Sequence, residues 1–239
     1  LKVDIIPRFS MNTSFADIEK KENRKDLIIS ICVFLSGFSC FAQLYYFQPL
    51  LPDLAKDFIL SASESSFAIS FSTLGMVFGL FTTMFVADRI PRKKMIGTGL
   101  LSSSIFSVAA SFSPTFLPLI LLSAAKGFLL SGATSVSMAY IAEEVSSRNK
   151  GKIMGLYIAG NALGGMAGRV ISSWIGALYT WRIASVSIGL ICALFAILFL
   201  LFSPRSTNFM PRKESFHTLI IANLQLITSK ALIPFYLTG

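Results

Sequence analysis

Six apolar stretches, each long enough to cross a lipid bilayer, fill most of the sequence between residues 27 and 202. A helix rises about 1.5 Å per residue, so ~20 apolar residues cover the ~30 Å hydrocarbon core. Because water cannot satisfy the backbone there, each stretch must be helical. The predicted spans are Leu27–Phe47, Ser66–Ala87, Met95–Phe112, Phe116–Ala142, Ile153–Leu178 and Ile183–Phe202. We therefore expect an all-α, multi-pass integral membrane protein.

The positions of the basic residues predict the orientation of these spans. The 21 lysines and arginines lie before the first span, in alternate gaps or after the sixth span, except for Lys56, Lys126, Arg169 and Arg182. The positive-inside rule places the basic segments, and with them the N-terminus, in the cytoplasm. The net charge of +9 therefore indicates topology and attraction to anionic lipid, and we expect no nucleic-acid partner.

The apolar pattern also divides the chain into segments. Residues 1–26 are charged and lack apolar periodicity, which predicts a cytoplasmic N-terminal tail without regular structure. Residues 27–202 form the six-helix transmembrane bundle. Residues 203–231 form a cytoplasmic central loop in which apolar residues at helical spacing predict an interfacial helix. Residues 232–239 begin another apolar run, which we interpret as a truncated seventh span, so the chain is expected to be a fragment.

The loop after the second span combines an acidic residue with a dense basic turn, and such charges can hold a gate closed through ion pairs. The loop resembles a signature of the major facilitator superfamily between its second and third helices, although Met84 and Pro91 replace two glycines. The resemblance implies a cytoplasmic gating motif; the alternative is a generic basic loop. The gating residues would be Asp88, Arg89, Arg92 and Lys93. Glu143 and Glu144 end the fourth span, and we expect a salt bridge from them to Arg89 or Arg92.

The fifth span carries glycines four residues apart, which place a groove for a close helix neighbour on one face. This stretch is similar to the antiporter motif in the fifth helix of the same superfamily. The residues of this helix-packing motif are Gly160, Gly164, Gly165 and Gly168. Asn161 replaces the proline of the family motif, and ordinary close packing is the alternative explanation.

Together these motifs resemble the superfamily over residues 27–239. The resemblance implies the N-terminal six-helix half of a twelve-helix fold, built as two inverted three-helix repeats with substrate bound between the halves. It implies a secondary transporter of the bacterial inner (plasma) membrane, exporting a small molecule by proton-coupled antiport with alternating access. The expected partners are a small-molecule substrate, protons, the lipid bilayer and a missing C-terminal six-helix half. No cofactor or metal is expected.

Lys126 is the most informative single residue. It lies about ten residues into the fourth span, roughly 15 Å deep. A lysine at the bilayer centre costs about 2.5–3.5 kcal/mol on insertion scales, so it must face a polar cavity or a partner. It is either an anion-binding or coupling residue in the central cavity, or a structural cation paired with carbonyls or with the missing half.

Four further residues are candidates for the substrate cavity or for coupling. The family builds its cavity from the first and fourth helices of each half, which points to Gln43 and Tyr46, although Tyr46 also suits a lipid or packing role. Asn161 can hydrogen-bond substrate or, as we favour, a neighbouring helix. Arg169 either snorkels to the outer surface or takes part in substrate entry.

All twelve carboxylates lie outside the spans or at their inner ends, whereas proton relays usually need a buried acid or histidine. A proton carrier is therefore expected at Asp53, on the outer rim, or in the missing half. A membrane enzyme is disfavoured because His217 is the only histidine, and no nucleophile, base or metal constellation is visible. The remaining alternative is a six-span scaffold or channel subunit without transport chemistry of its own.

Overall fold

Long helices form the predicted spans in the computed structural model, which describes residues 8–209. The helices are α1 Arg8–Tyr45, α2 Leu51–Asp57, α3 Ala62–Ser65, α4 Phe67–Val86, α5 Arg92–Ser111, α6 Phe116–Glu144, α7 Lys150–Leu178 and α8 Trp181–Phe202. Short 3₁₀ turns cover Gln48–Leu50 and Ala87–Arg89. Residues 8–209 contain no strand, and the all-α prediction is confirmed. The predicted interfacial helix and seventh span lie outside the described residues.

Four of the helical segments are long and apolar enough, by hydropathy, to cross a membrane. They are Glu19–Asp57, Ala62–Arg89, Phe116–Glu144 and Trp181–Phe202. Helices α5 and α7 have the required length, but serines in α5 and glycines in α7 reduce their apolar character. These small residues are largely buried against neighbouring helices, as Ser103, Ser107 and Gly164 illustrate. Membrane helices are enriched in small residues at such contacts, so α5 and α7 complete a bundle of six long helices.

Helix α1 begins at Arg8, so the expectation of a tail without regular structure is wrong for residues 8–26. Tertiary contacts hold the part of this extension next to the apolar stretch. The Asp26 carboxylate accepts a hydrogen bond from Asn149 Nδ2 at 2.8 Å and is also bonded to Ser146. Lys25 Nζ lies 2.9 Å from the Glu144 carboxylate. These bonds attach the polar part of α1 to the connection between α6 and α7.

The packing of the six long helices follows a repeat of three. The most extensive contacts join α4 to α6 and α1 to α7, and α5 packs on both α6 and α8. If α1, α4 and α5 are exchanged with α6, α7 and α8 in that order, the α4–α6 pair becomes the α7–α1 pair. Because each repeat crosses the membrane an odd number of times, the second repeat runs in the opposite orientation. The arrangement is that of two inverted three-helix repeats.

Glycines allow the two main helix pairs to approach closely. A Cβ on Gly160 would lie 2.6 Å from the Phe34 carbonyl oxygen of α1, and one on Gly168 would lie 2.7 Å from the Cα of Ala42. A Cβ on Gly127 of α6 would overlap the backbone of Ser72 in α4. The groove predicted from the fifth span therefore contacts the α1 backbone, and glycines bring α4 and α6 together in the same way.

The bundle has two ends of different character. The basic end comprises the α4–α5 loop, the α6–α7 loop and the end of α8. The opposite end carries α2, α3 and the tight turn between α5 and α6, as predicted. There the Arg182 guanidinium lies 2.9 Å from the Asp57 carboxylate and donates to the backbone carbonyls of Ser111 and Ser113. Arg182 thus joins the start of α8 to the α5–α6 turn and to α2.

Candidate functional site

The predicted gating loop folds into a compact turn at the basic end. Helix α4 ends in a single 3₁₀ turn, Ile90 is extended, and Pro91 directly precedes α5. The Pro91 carbonyl accepts the backbone N–H of Met95 at 3.1 Å, which starts the new helix. Proline fixes φ and has no N–H to leave unpaired at a helix start. The turn therefore forms although Pro91 replaces a glycine of the family motif.

Arg92 is the centre of a charge network at this turn. Its guanidinium lies 2.9 Å from Asp88 and 3.1 Å from Glu143, and it donates to the Ala87 carbonyl at 2.7 Å. The residue is only 8% exposed. The predicted salt bridge is confirmed for Arg92 and Glu143. Arg92 thus joins the end of α4, the start of α5 and the end of α6.

Lys93 contacts another part of the basic end. The backbone N–H of Lys93 donates to Ser206 Oγ at 3.0 Å, and its ammonium donates to the Ser203 carbonyl. Both partners belong to the segment that follows α8. Arg89 lies on the exposed side of the turn. Of the four predicted gating residues, Asp88 and Arg92 therefore share one network, while Lys93 contacts the start of the central loop.

Glu144 forms a second connection at the basic end. Its buried carboxylate pairs with Lys25 at 2.9 Å and accepts the backbone N–H of Asn208 at 2.8 Å and the Thr207 hydroxyl at 2.9 Å. Charge-assisted hydrogen bonds of this kind are the strong ones. The adjacent residues Glu143 and Glu144 therefore link the gating loop, α1 and the segment after α8.

Lys126 lies in the middle of the bundle and is 1% exposed. Among the residues that the structure describes, its ammonium has no hydrogen-bond partner. The nitrogen is 4.5 Å from the ring centroid of Tyr46 and 4.8 Å from that of Phe47. The carbonyl partners considered from the sequence are thus not observed, and two aromatic faces contact the ammonium instead.

Gln43 and Tyr46 belong to a chain of buried hydrogen bonds beside Lys126. The Tyr46 hydroxyl and Ser185 Oγ are 2.9 Å apart, and Ser185 donates to the Ser107 carbonyl at 3.1 Å. Ser107 Oγ donates to Gln43 Oε1 at 3.2 Å, and Gln43 Nε2 donates to Ser39. Gln43 and Tyr46 are both fully buried within this half. Their predicted role in a substrate cavity stays a prediction.

The two candidates on α7 face different neighbours. Asn161 lies against Gly37 of α1, where a glycine Cβ would overlap its side-chain oxygen. That position fits the neighbouring-helix alternative. Arg169 donates to the Gln48 side chain, and its guanidinium lies 4.5 Å above the Tyr45 ring. Arg169 therefore attaches α7 to the end of α1, and both alternatives for its role remain predictions.

Sequence reasoning did not find several members of these sites. Lys25, Phe47, Ser107, Ser185 and Asn208 acquire their contacts from residues far away in the chain. Serines within the apolar spans were the one sequence signal for these hydrogen bonds. The signal is weak because serines also occur at helix contacts simply as small residues. Within residues 8–209, no cluster of three or more histidine, cysteine or carboxylate side chains could hold a metal ion.

Residues 30–239 match the family model described as the Major Facilitator Superfamily. An uncharacterized transporter of Buchnera aphidicola subsp. Schizaphis graminum is 38% identical over 200 residues, covering 84% of this chain and 48% of that protein. The inner membrane transport protein YnfM of Escherichia coli K12 is 36% identical over 193 residues, covering 81% of this chain and 46% of its own length. The chain therefore spans about half the length of these curated relatives.

A solved structure shares the fold. The proton:xylose symporter XylE, bound to 6-bromo-6-deoxy-D-glucose, matches with a TM-score of 0.71 at 16% sequence identity. The match covers 88% of this chain and 51% of the symporter chain. At this identity the likeness shows the fold alone, and it is the fold of one half of a transporter.

Proposed function

The chain belongs to the Major Facilitator Superfamily, and from this premise we propose that it is the N-terminal half of a secondary transporter that exports a small molecule by proton-coupled antiport. The family consists of membrane transporters, and the six long helices form one half of its fold, as predicted. A second six-helix half would complete the substrate site. The coverage of about half of each relative supports this assignment over a six-span scaffold.

The network around Arg92 is the observation that carries the gating part of the proposal. It joins the ends of three helices through one nearly buried guanidinium. A guanidinium donates several hydrogen bonds in a fixed planar geometry, so Arg92 fixes the three helix ends relative to each other. A movement of α4 or α6 must break one of its bonds. We infer that the network stabilises the outward-open state and that substrate passage requires its rearrangement.

The direction of transport and the orientation belong to the same proposal. The glycine face of α7 is similar to the antiporter motif, which supports exchange and export rather than uptake. The basic end fits the cytoplasmic side by the positive-inside rule. One relative is described as an inner membrane transport protein, which supports a bacterial inner membrane with the N-terminus in the cytoplasm.

Export is tested in bacterial cells that express the full-length protein containing this chain. We expect these cells to accumulate less of at least one compound from a chemically diverse fluorescent panel than cells with an empty vector. A protonophore should abolish the difference, because the proton gradient drives the exchange. Equal accumulation of every compound, with the protein present in the membrane, would contradict proton-driven export.

Asp88→Asn should slow turnover more than it weakens substrate binding. The change removes one ion pair of Arg92 but leaves the substrate region untouched. We expect the maximal export rate to fall several-fold while the half-saturating concentration of an exported compound stays nearly constant. Glu19→Gln is the matched control, since its ion pair with Arg148 at the same end is exposed and such pairs contribute little. An unchanged rate in Asp88→Asn would leave the loop as a topology signal only.

A further inference from the structure

The ammonium of Lys126 occupies a site made of two aromatic rings. Tyr46 and Phe47 face it at 4.5 Å and 4.8 Å, and no hydrogen-bond acceptor among the described residues contacts it. The quadrupole of an aromatic ring attracts cations, and aromatic faces are a recurring way to bind substituted ammonium ligands. The two ring faces can therefore bind either the ammonium of Lys126 or that of a ligand.

The charges around this site leave Lys126 without a counter-ion. Helix α6 packs against α1, α4, α5 and α7. Helix α4 contains no titratable residue, and those of α5 are Arg92, Lys93 and Lys94 at the basic end. Cys192 of α8 is buried in the same apolar cluster as Tyr46 and Phe47. Away from the basic end, the titratable groups on these helices and on the turn after α1 are Cys40, Tyr45, Tyr46, Tyr157, Arg169, Arg182 and Cys192. Within residues 8–209, no carboxylate faces Lys126.

The buried Lys126 ammonium is stabilised by its contacts with the two aromatic rings and by no carboxylate among the described residues. Removing a charge from water without a partner costs several kcal/mol in proteins, and a buried lysine that loses its proton no longer carries this cost. The neutral amine has little attraction for the ring faces. Deprotonation of Lys126 therefore makes the two rings available to another cation.

The rings lie where α1 gives way to a short turn. Helix α1 ends at Tyr45, so Tyr46 and Phe47 belong to the turn before the Gln48–Leu50 segment, which contains Pro49. The Tyr46 N–H donates to the Ala42 carbonyl at 3.1 Å, and the Phe47 carbonyl accepts the Leu50 N–H at 3.0 Å. The two rings thus cover Lys126 at the junction of α1 and the Gln48–Leu50 turn, and binding of a larger cation requires these few bonds to rearrange.

We propose that Tyr46 and Phe47 bind an organic cation, and that Lys126 is the proton carrier that occupies the same rings when the cation is absent. This inference rests on the proposed antiport function and names its substrate class. When the cation binds on the inner side, –NH₃⁺ of Lys126 becomes –NH₂ and releases its proton there. When the cation leaves on the outer side, the amine takes up a proton. One proton moves inward for each cation exported, and the site always holds one positive charge.

Binding of benzyltrimethylammonium to the purified full-length protein tests this proposal, with neopentylbenzene as the uncharged ligand of the same shape. We expect the cation to bind, to release about one proton per bound molecule in weak buffer, and to bind more weakly as pH falls because the protonated lysine competes. Neopentylbenzene should not release a proton. Lys126→Gln should bind the cation with an affinity independent of pH and without proton release.

Two further variants keep Lys126 and test the rings. Tyr46→Leu removes one aromatic face and should weaken cation binding by about tenfold, the order expected for a desolvated cation–π contact. Tyr46→Phe is the matched control, since it keeps the face and loses only the hydrogen bond to Ser185. Its cation affinity should equal that of the unchanged protein. Thermal unfolding of each variant shows that it is folded.

The outcomes separate this inference from the proposed function. Failure of benzyltrimethylammonium to bind, binding without proton release, or equal cation affinity in Tyr46→Leu and Tyr46→Phe would overturn the shared site. Specific binding of benzoate that is lost in Lys126→Gln would overturn it in favour of an anion site. In each case, export of panel compounds would leave the transporter assignment intact. Proton release on cation binding without any export would support the site and contradict the transport proposal.

Discussion

Gly164→Leu should prevent the protein from folding into a stable bundle. A Cβ at this position overlaps the backbone of Phe38 in α1, and backbone cannot yield as the end of a flexible side chain can. Overpacking of a close contact costs about 1–3 kcal/mol and more where nothing can move, so we expect a loss above about 3 kcal/mol. The yield of monodisperse protein in detergent and its thermal unfolding temperature measure the effect.

Gly155→Leu is the control for this prediction. Gly155 lies on the same helix, but nothing is within 4 Å of a Cβ built there. The variant adds the same side chain with the same gain in helix propensity, and it should be obtained in normal yield with an unfolding temperature that does not fall. Equal stability of the two variants would show that α1 and α7 are not packed through this glycine face.

Lys126→Ala should abolish proton-driven export while the protein still inserts and folds. The substitution removes a buried cation that has no hydrogen-bond partner among the described residues, so stability should not fall through a lost bond. Removing the ammonium also removes the cost of burying an unpaired charge, which offsets the loss of its two ring contacts. We expect the same membrane yield and an equal or higher unfolding temperature. Export of panel compounds, measured in cells, should fall to the level of the empty vector.

Ser123→Ala provides the comparison for this result. Ser123 is one turn away on the same helix and is also buried without a hydrogen-bond partner in the part of the chain that the structure describes, but it carries no charge. It should export normally if the loss in Lys126→Ala arises from the ammonium. Normal export by Lys126→Ala would remove Lys126 from the mechanism.

The sequence was sufficient for the parts of the fold that depend on the membrane. An apolar run of this length has only one stable conformation in lipid, so each span could be placed from its residues alone. The contact between Arg92 and Glu143 was predictable as well, because α4 and α6 both end on the side where the basic loop lies. The close approach of α7 followed from glycines spaced four apart.

Other features depend on which elements meet in space. Nothing in the apolar pattern indicates that Glu144 binds Lys25 and Asn208, or that α1 begins as early as Arg8. The depth of Lys126 followed from its position in the span, but its aromatic neighbours come from a turn after another helix. Whether Gln43 faced a cavity or the interior of this half was likewise set by tertiary packing.

The central claim is that the chain crosses the membrane six times with its basic end in the cytoplasm. Single-cysteine labelling with a membrane-impermeant maleimide tests it, since the native cysteines at 32, 40 and 192 are all buried. Cysteines replacing the exposed residues Ser63 and Thr180 should react in right-side-out vesicles, whereas those replacing Lys94 and Lys152 should react only after permeabilisation. Labelling of positions 94 and 152 from the outside, with protection of 63 and 180, would contradict the topology and the transporter assignment that depends on it.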